Sequence, residues 1–111
     1  MFSQLEQFDS NTRFFLVVEI TTPDSDKADE FERHVLAISK VANSDKEPGT
    51  LMYRLTRGFG PDDSNTFTVL EEYVNKAAFE HHQTSEPFKA LLASDYPQYA
   101  KTVAAFRQER L

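Results

Sequence analysis

The sequence feature that most constrains the fold is a nearly continuous apolar run followed directly by a segment with an amphipathic stripe. Residues 14–21 are rich in β-branched and aromatic types, which predicts a central strand. Asp24-Ser25-Asp26 then fits a helix start, because carboxylates favour the positive end of a helix dipole. Apolar residues next recur at spacings of three and four, which predicts a helix of about five turns. These residues are Ala28, Phe31, Val35, Ile38 and Ala42.

Shorter elements follow the turn at Pro48-Gly49. Residues 50–57 alternate apolar and polar side chains, which predicts a half-buried strand. Turn-forming residues 58–65 connect it to a third strand at 66–73, so that an antiparallel hairpin is expected. Asn75 can cap a helix from Lys76 to about Gln83. Ser85, with Pro87 in the first turn, begins another helix.

The tail from Pro97 to Leu111 has two interpretations. Its Ala, Lys, Gln, Glu and Arg content favours a helix, whereas residues 102–107 could equally form a short strand. With a final strand, the order of elements becomes the split βαβ pattern of a ferredoxin-like α+β domain with a four-stranded antiparallel sheet. Polar, aperiodic residues 1–11 are interpreted as an N-terminal arm, and residues 12–111 as a single domain.

Composition excludes several classes of function. The 111 residues include 12 Lys and Arg against 18 Asp and Glu, a net charge of −6, with no cluster of basic residues, so nucleic acid is not an expected partner. The chain has no Cys, which excludes disulfides, thiolate nucleophiles and zinc–thiolate sites. No export signal or membrane-spanning run is visible, so a cytoplasmic location without membrane contact is expected.

His82 is the first candidate for chemistry, because histidine is the one side chain with an unperturbed pKa between pH 5 and 8. Helical geometry places it on one face with Ala78 and Phe79, while His81 points toward solvent. A core histidine bonded to the backbone or to a carboxylate is the alternative, and it is favoured for the residue taken alone. Adjacent histidines cannot chelate one metal from a regular helix, so no metal site is expected.

Glu71 is the second candidate. It shares one face of the third strand with Phe67, Val69 and Tyr73, and an ionised acid buried among aromatic rings is costly without a partner. A cross-strand ion pair or a solvated face would explain it. If that face lines a cavity, Glu71 and His82 could instead form a hydrogen-bonded acid–base pair.

Three motifs in order resemble the antibiotic biosynthesis monooxygenase (ABM) domain family. Residues 47–55, EPGTLMYRL, look like the E-P-G-x-x-x-Y segment that opens its second strand. Residues 67–73, FTVLEEY, are similar to its third strand. Residues 77–88, AAFEHHQTSEPF, resemble its helix pair, with His82 at the position of the family histidine. The resemblance covers about residues 13–107.

The resemblance implies a ferredoxin-like subunit of the dimeric α/β-barrel type, hence a homodimer, with a final strand near residues 102–108. Family members typically bind phenolic, quinol-like or polycyclic aromatics, and several oxidise them with O₂ and no metal, flavin or haem. The expected function is therefore a cofactor-independent monooxygenase acting on a phenolic, quinol or anthrone-like aromatic. A non-catalytic small-ligand-binding or stress-response dimer is the alternative, and an isomerase or decarboxylase of the same fold stays open.

The resemblance also assigns roles to individual residues. His82 would be the base or anion-stabilising donor, Glu71 would hold its tautomer, and Tyr73 would bond the phenolic oxygen. Four aromatic residues would wall the substrate pocket, namely Tyr53, Phe67, Phe79 and Phe88. The chain has no Trp, which counts against the haem-degrading relatives, because these use an Asn/Trp/His set.

Overall fold

A computed structural model describes residues 10–107, and the elements follow the predicted order. They are β1 (Phe14–Thr21), α1 (Ser25–Ala42), β2 (Thr50–Arg57), β3 (Thr66–Tyr73), α2 (Lys76–His82), α3 (Glu86–Ala93), a short 3₁₀ helix (Tyr96–Tyr99) and β4 (Ala100–Arg107). The expected N-terminal arm lies almost entirely outside the described residues.

The four strands form one antiparallel sheet in the order β2-β3-β1-β4, and β1 is central as predicted. This confirms the ferredoxin-like α+β fold. The tail is a strand, and it begins at Ala100, two residues earlier than expected. Its ladder with β1, in which Phe15 lies opposite Phe106 and Val17 opposite Ala104, outweighs the local helix propensity. The expected end at residue 108 lies outside the described residues.

Side-chain caps fix where the helices begin. Asp24 accepts a hydrogen bond from the backbone N–H of Lys27 at 2.8 Å, and Asn75 accepts one from Ala78 at 2.9 Å. Ser85 caps α3 in the same way. These caps satisfy backbone donors that have no partner within the helix, and the predicted helix starts are confirmed.

The helices cover one face of the sheet and bury two aromatic clusters there. The larger cluster joins α1 and α3 to the sheet, and its residues are Ile20, Ala28, Phe31, Val35, Ile38, Ala42, Tyr53, Phe67, Val69, Phe88 and Tyr96. The smaller cluster lies under α2 and contains Phe14, Leu16, Tyr73 and Phe79. The buried residue His82 contacts Tyr73 of the smaller cluster and Phe88 of the larger one, and Glu71 is hydrogen-bonded to Tyr73.

The loop from α1 to β2 lies directly against α2. A Cβ atom on Gly49 would be 2.5 Å from the Cβ of Ala78, so only glycine permits this approach. The Val74 N–H donates to the Gly49 carbonyl at 3.0 Å, and Nε2 of His81 lies 2.8 Å from the Lys46 carbonyl oxygen. These contacts place Glu47 beside the end of α2.

The helices of residues 10–107 include none with the length and apolar content that crossing a membrane requires.

Candidate active site

His82 occupies the centre of a buried aromatic cage. Its side chain is fully buried, and its ring centroid lies 5.1 Å from that of Tyr53, 5.5 Å from that of Tyr73 and 5.0 Å from that of Phe88. Phe79 stacks on it at 6.3 Å. The predicted inward orientation of His82 is therefore confirmed.

Glu47 is the partner of the imidazole. Nδ1 of His82 lies 2.7 Å from Oε1 of Glu47, and both side chains are almost completely buried. Burial lowers the pKa of His82, and this outweighs the opposing effect of the Glu47 hydrogen bond and charge. The imidazole is then neutral at pH 7, so that Nδ1–H donates to the Glu47 oxygen.

This hydrogen bond determines the tautomer. With the proton on Nδ1, Nε2 of His82 carries a lone pair, and this atom is buried without a hydrogen-bond partner among residues 10–107. Oε1 of Glu47 also accepts from the Thr50 hydroxyl at 2.8 Å, which holds the carboxyl group in place. The pair therefore presents an unpartnered basic nitrogen in an apolar environment.

Glu71 does not make the expected hydrogen bond to His82. Its Oε1 instead accepts from the Tyr73 hydroxyl at 2.5 Å. Glu47, and not Glu71 as expected, therefore makes the hydrogen bond that holds the histidine tautomer. The physical reason is that β3 places Glu71 and Tyr73 two residues apart on one face, whereas the packed loop brings Glu47 to Nδ1. The sequence points to Glu47 only as part of the E-P-G motif.

Burial raises the pKa of Glu71 to about 8, with the Tyr73 hydrogen bond opposing the shift and the Glu47 charge adding to it. The Glu71 carboxyl group is therefore mostly protonated at pH 7. Burial and the Glu71 charge likewise raise the pKa of Tyr73. Both hydroxyl and carboxyl then act as neutral hydrogen-bonding groups.

An apolar cavity lies between the sheet, α1 and α3. Its volume is about 60 Å³, and it is partly open to solvent. Tyr53, Phe88 and Glu71 line it, and the remaining lining residues are Val18, Ile20, Phe31, Val35, Val69, Leu91, Leu92, Tyr96, Pro97 and Ala100. Such concave, mostly apolar space with a few polar groups is typical of small-molecule sites.

The other expected pocket residues lie outside this cavity wall. Phe67 packs on Phe31 with a centroid separation of 4.9 Å, and Phe79 packs on Phe14 and Tyr73. Both side chains point inward as predicted. The strand and helix periods, however, cannot distinguish a residue that lines the cavity from one that packs in the core. His82 itself lies behind the rings of Tyr53 and Phe88, which do line the cavity.

Within residues 10–107, no group of three or more His, Asp or Glu side chains lies close enough to hold a metal ion.

Comparison with known proteins supports the same family. The sequence model of the family described as "Antibiotic biosynthesis monooxygenase" matches residues 13–94. No match is found among the curated proteins.

Solved structures share the fold. The Pseudomonas aeruginosa protein PA3566 is 27% identical over 94% of this chain and 99% of its own, with a TM-score of 0.67. A Caulobacter crescentus CB15 protein described as a candidate antibiotic biosynthesis monooxygenase is 28% identical over 92% of each chain, with a TM-score of 0.67. A Bacteroides thetaiotaomicron protein, 14% identical over 88% of this chain and 99% of its own, has a TM-score of 0.71.

The family match covers most of the chain, and its three motifs contribute the loop, strand and helix that meet at His82. The chain therefore belongs to the antibiotic biosynthesis monooxygenase family.

Proposed function

We propose that this protein is a cofactor-independent monooxygenase that oxidises a phenolic, quinol or anthrone-like aromatic with O₂. The observation that supports it most is the buried His82, whose Nδ1 is held by Glu47 and whose Nε2 has no partner within the described residues. A neutral imidazole of fixed tautomer beside an apolar cavity is suited to general-base catalysis.

The reaction begins with proton transfer from the substrate to Nε2 of His82. The resulting electron-rich anion reduces O₂, and a carbon–oxygen bond forms at a ring carbon that carries hydrogen. The carbon-bound peroxide then loses that hydrogen as a proton, and its O–O bond breaks. One oxygen atom stays as the new carbonyl. The departing oxygen takes up two protons, the one lost from the ring carbon and the one returned by the imidazolium, and leaves as water.

The cavity favours this chemistry because its apolar lining suits O₂ and an aromatic ring chemically and strengthens each polar contact. Tyr53 and Phe88 separate His82 from the cavity in the free protein. Proton transfer therefore requires one of these two rings to change position on substrate binding, so that Nε2 reaches the substrate. Catalytic contacts that tighten only on substrate binding are common.

Oxygen uptake tests the proposal. Purified protein treated with a chelator is mixed with anthrones, hydroquinones and naphthols in an oxygen electrode. His82→Ala and His82→Gln are expected to lower kcat by about 100- to 10,000-fold, the usual contribution of a general base. His81→Gln is the matched control, because it removes the neighbouring histidine and keeps a side-chain donor for the Lys46 carbonyl, and its kcat should stay within about threefold.

Circular dichroism and thermal denaturation show whether the His82 variants remain folded, and His82→Gln preserves a polar group in case His82→Ala does not fold. No uptake by wild-type protein across the panel would contradict the monooxygenase and favour a ligand-binding protein. Uptake that survives in a folded His82→Gln variant would contradict the role of His82.

We also propose that the protein is a homodimer in which a second copy covers the outer face of the sheet. This face carries apolar neighbours on adjacent strands, with Phe15 opposite Phe106 and Val17 opposite both Leu70 and Ala104. Phe106 is 54% exposed. An open sheet face of this kind gains stability when it packs against another layer.

Light scattering after gel filtration tests the dimer. A mass near twice 12.7 kDa is expected for the wild type, and Phe106→Glu should shift the mass toward the monomer because it places a charge on the apolar face. Lys101→Glu, an exposed change on the same strand, should leave the dimer intact. A wild-type monomer at micromolar concentration would contradict the proposal.

A further inference from the structure

We propose that Tyr53 and Glu71 form an oxyanion-binding pair that takes the ionised oxygen of a phenolate or enolate ligand. The proposal rests on the proposed function for its place in catalysis, but binding alone can be measured without O₂. It differs from the role that the family resemblance implies, in which Tyr73 bonds the phenolic oxygen.

The register of the sheet brings the two side chains together. Tyr53 on β2 lies directly opposite Glu71 on β3, and residues opposite each other in an antiparallel pair project from the same face. Both line the apolar cavity. Tyr53 and Glu71 therefore place their polar groups next to each other in a cavity whose lining is otherwise almost entirely apolar.

The hydrogen bonds of Glu71 leave one carboxyl oxygen for a ligand. Oε1 accepts from the Tyr73 hydroxyl, and Oε2 has no hydrogen bond to any of residues 10–107. A protonated carboxyl group with one oxygen occupied as an acceptor carries its proton on the other oxygen. Tyr73 is therefore a positioning residue, because it directs the Glu71 proton to Oε2 and has no hydroxyl proton left for the substrate.

Tyr53 supplies the second donor. Its side chain is buried, yet its hydroxyl makes no hydrogen bond within the described part of the chain. Burial and the charges of Glu71 and Glu47 raise its pKa well above the usual value, so the hydroxyl keeps its proton. The hydroxyl proton is therefore free to bond a ligand oxygen in the cavity that Tyr53 lines.

Two neutral donors favour a negative ligand oxygen over a neutral one. Hydrogen bonds to an ionised acceptor are shorter and about twice as strong as those between neutral groups. In an apolar site, a tyrosine and a protonated carboxylic acid can together stabilise an oxyanion in this way. Glu47, Tyr73 and His82 are the other titratable groups around the pair, and His82 becomes cationic once it accepts the substrate proton.

The pair also resolves an energetic mismatch. An imidazole whose pKa is lowered by burial is a weak base for an ordinary phenol, whose unperturbed pKa resembles that of tyrosine at about 10. Proton transfer becomes favourable only when the product anion is stabilised. Donors aimed at the developing charge provide that stabilisation, so His82 and the pair act on the same step.

Anaerobic titration with 4-nitrophenol tests the pair, because this phenol is not oxidised and its anion absorbs at longer wavelength than its neutral form. At pH 6, where the free probe is mostly neutral, the bound probe is expected to show the phenolate spectrum. Its methyl ether, 4-nitroanisole, cannot ionise and should bind at least about 10-fold more weakly. A bound probe that keeps the neutral spectrum, or no binding at all, would overturn the proposal.

Variants separate the two donors. Tyr53→Phe and Glu71→Leu should each weaken phenolate binding by about 10-fold or more, whereas Glu71→Gln keeps a donor and should stay within about threefold of wild type.

Raising the pH past about 8, the raised pKa of Glu71, should weaken binding in the wild type but not in Glu71→Gln. Tyr99→Phe, outside the cavity wall, is the control. Unchanged binding by Tyr53→Phe would overturn the pair.

The outcome distinguishes this pair from the proposed function. Phenolate binding without oxygen uptake would leave the oxyanion pair and contradict the monooxygenase. Oxygen uptake with neutral-phenol binding would leave the monooxygenase and contradict the pair.

Discussion

Replacement of Glu47 by Gln is expected to lower kcat by about 100- to 10,000-fold, with a much smaller change in KM. The Glu47 oxygen accepts Nδ1–H of His82 at 2.7 Å and so leaves Nε2 free to take a proton. A glutamine amide can present its NH₂ group to the ring instead, which favours the tautomer with the proton on Nε2. A loss of this size is typical when the group that orients a catalytic histidine is replaced by its amide.

Nitrogen-15 NMR of the histidine ring gives a readout that a purely structural role would not change. The wild type should show a neutral ring protonated at Nδ1 at pH 7, and Glu47→Gln should increase the Nε2-protonated form. Thr50→Val is the matched control, because it removes the other hydrogen bond to Oε1 of Glu47 and keeps the carboxyl group, so its kcat should fall less than about fivefold. An unchanged kcat in a folded Glu47→Gln variant would contradict the positioning role.

Replacement of Glu71 by Gln is expected to stabilise the fold increasingly as the pH rises from about 4.5 to 8. The folded protein raises the pKa of Glu71 from 4.5 to about 8, so within this window the folded state holds a proton that the unfolded state releases. The wild type therefore loses stability as the pH rises through the window. Each pKa unit corresponds to about 1.4 kcal/mol, so the total contribution is on the order of 3–5 kcal/mol.

Urea denaturation at several pH values measures this effect. The difference in unfolding free energy between Glu71→Gln and wild type should grow with pH and level off above about pH 8. His82 acts in the opposite direction, because its lowered pKa makes the wild type lose stability as the pH falls below about 6.5. Comparing the variant with wild type at each pH cancels that contribution. A difference that does not change with pH would contradict a protonated, buried Glu71.

Local patterns predicted most of the fold. The strand period of residues 66–73 predicts which face of the strand carries Glu71. The helical period of residues 76–82 predicts that His82 points inward and His81 outward. Each of these orientations depends only on the chemistry of neighbouring residues. The last strand, Ala100–Arg107, needed the family resemblance, because pairing with β1 determines its conformation against its own helix propensity.

Partners of the buried polar groups could not be predicted in the same way. Glu47 reaches His82 through a loop that packs on α2, an approach that depends on the absence of a side chain at Gly49. The EPG motif at residues 47–49 is the available signal, but the sequence alone indicates only that a strand begins there. Strand periodicity likewise placed Tyr53 and Glu71 on inward faces, whereas their direct opposition depends on the register between β2 and β3.

Labelled oxygen tests the central claim most directly. Chelator-treated protein is given an active substrate of the panel and ¹⁸O₂ in unlabelled water, and the product is analysed by mass spectrometry after a single turnover. The account predicts one ¹⁸O atom in each product carbonyl formed, and a rate reduced at least about 100-fold in His82→Gln. Product oxygen derived from water, or labelled product formed at the wild-type rate by His82→Gln, would contradict it.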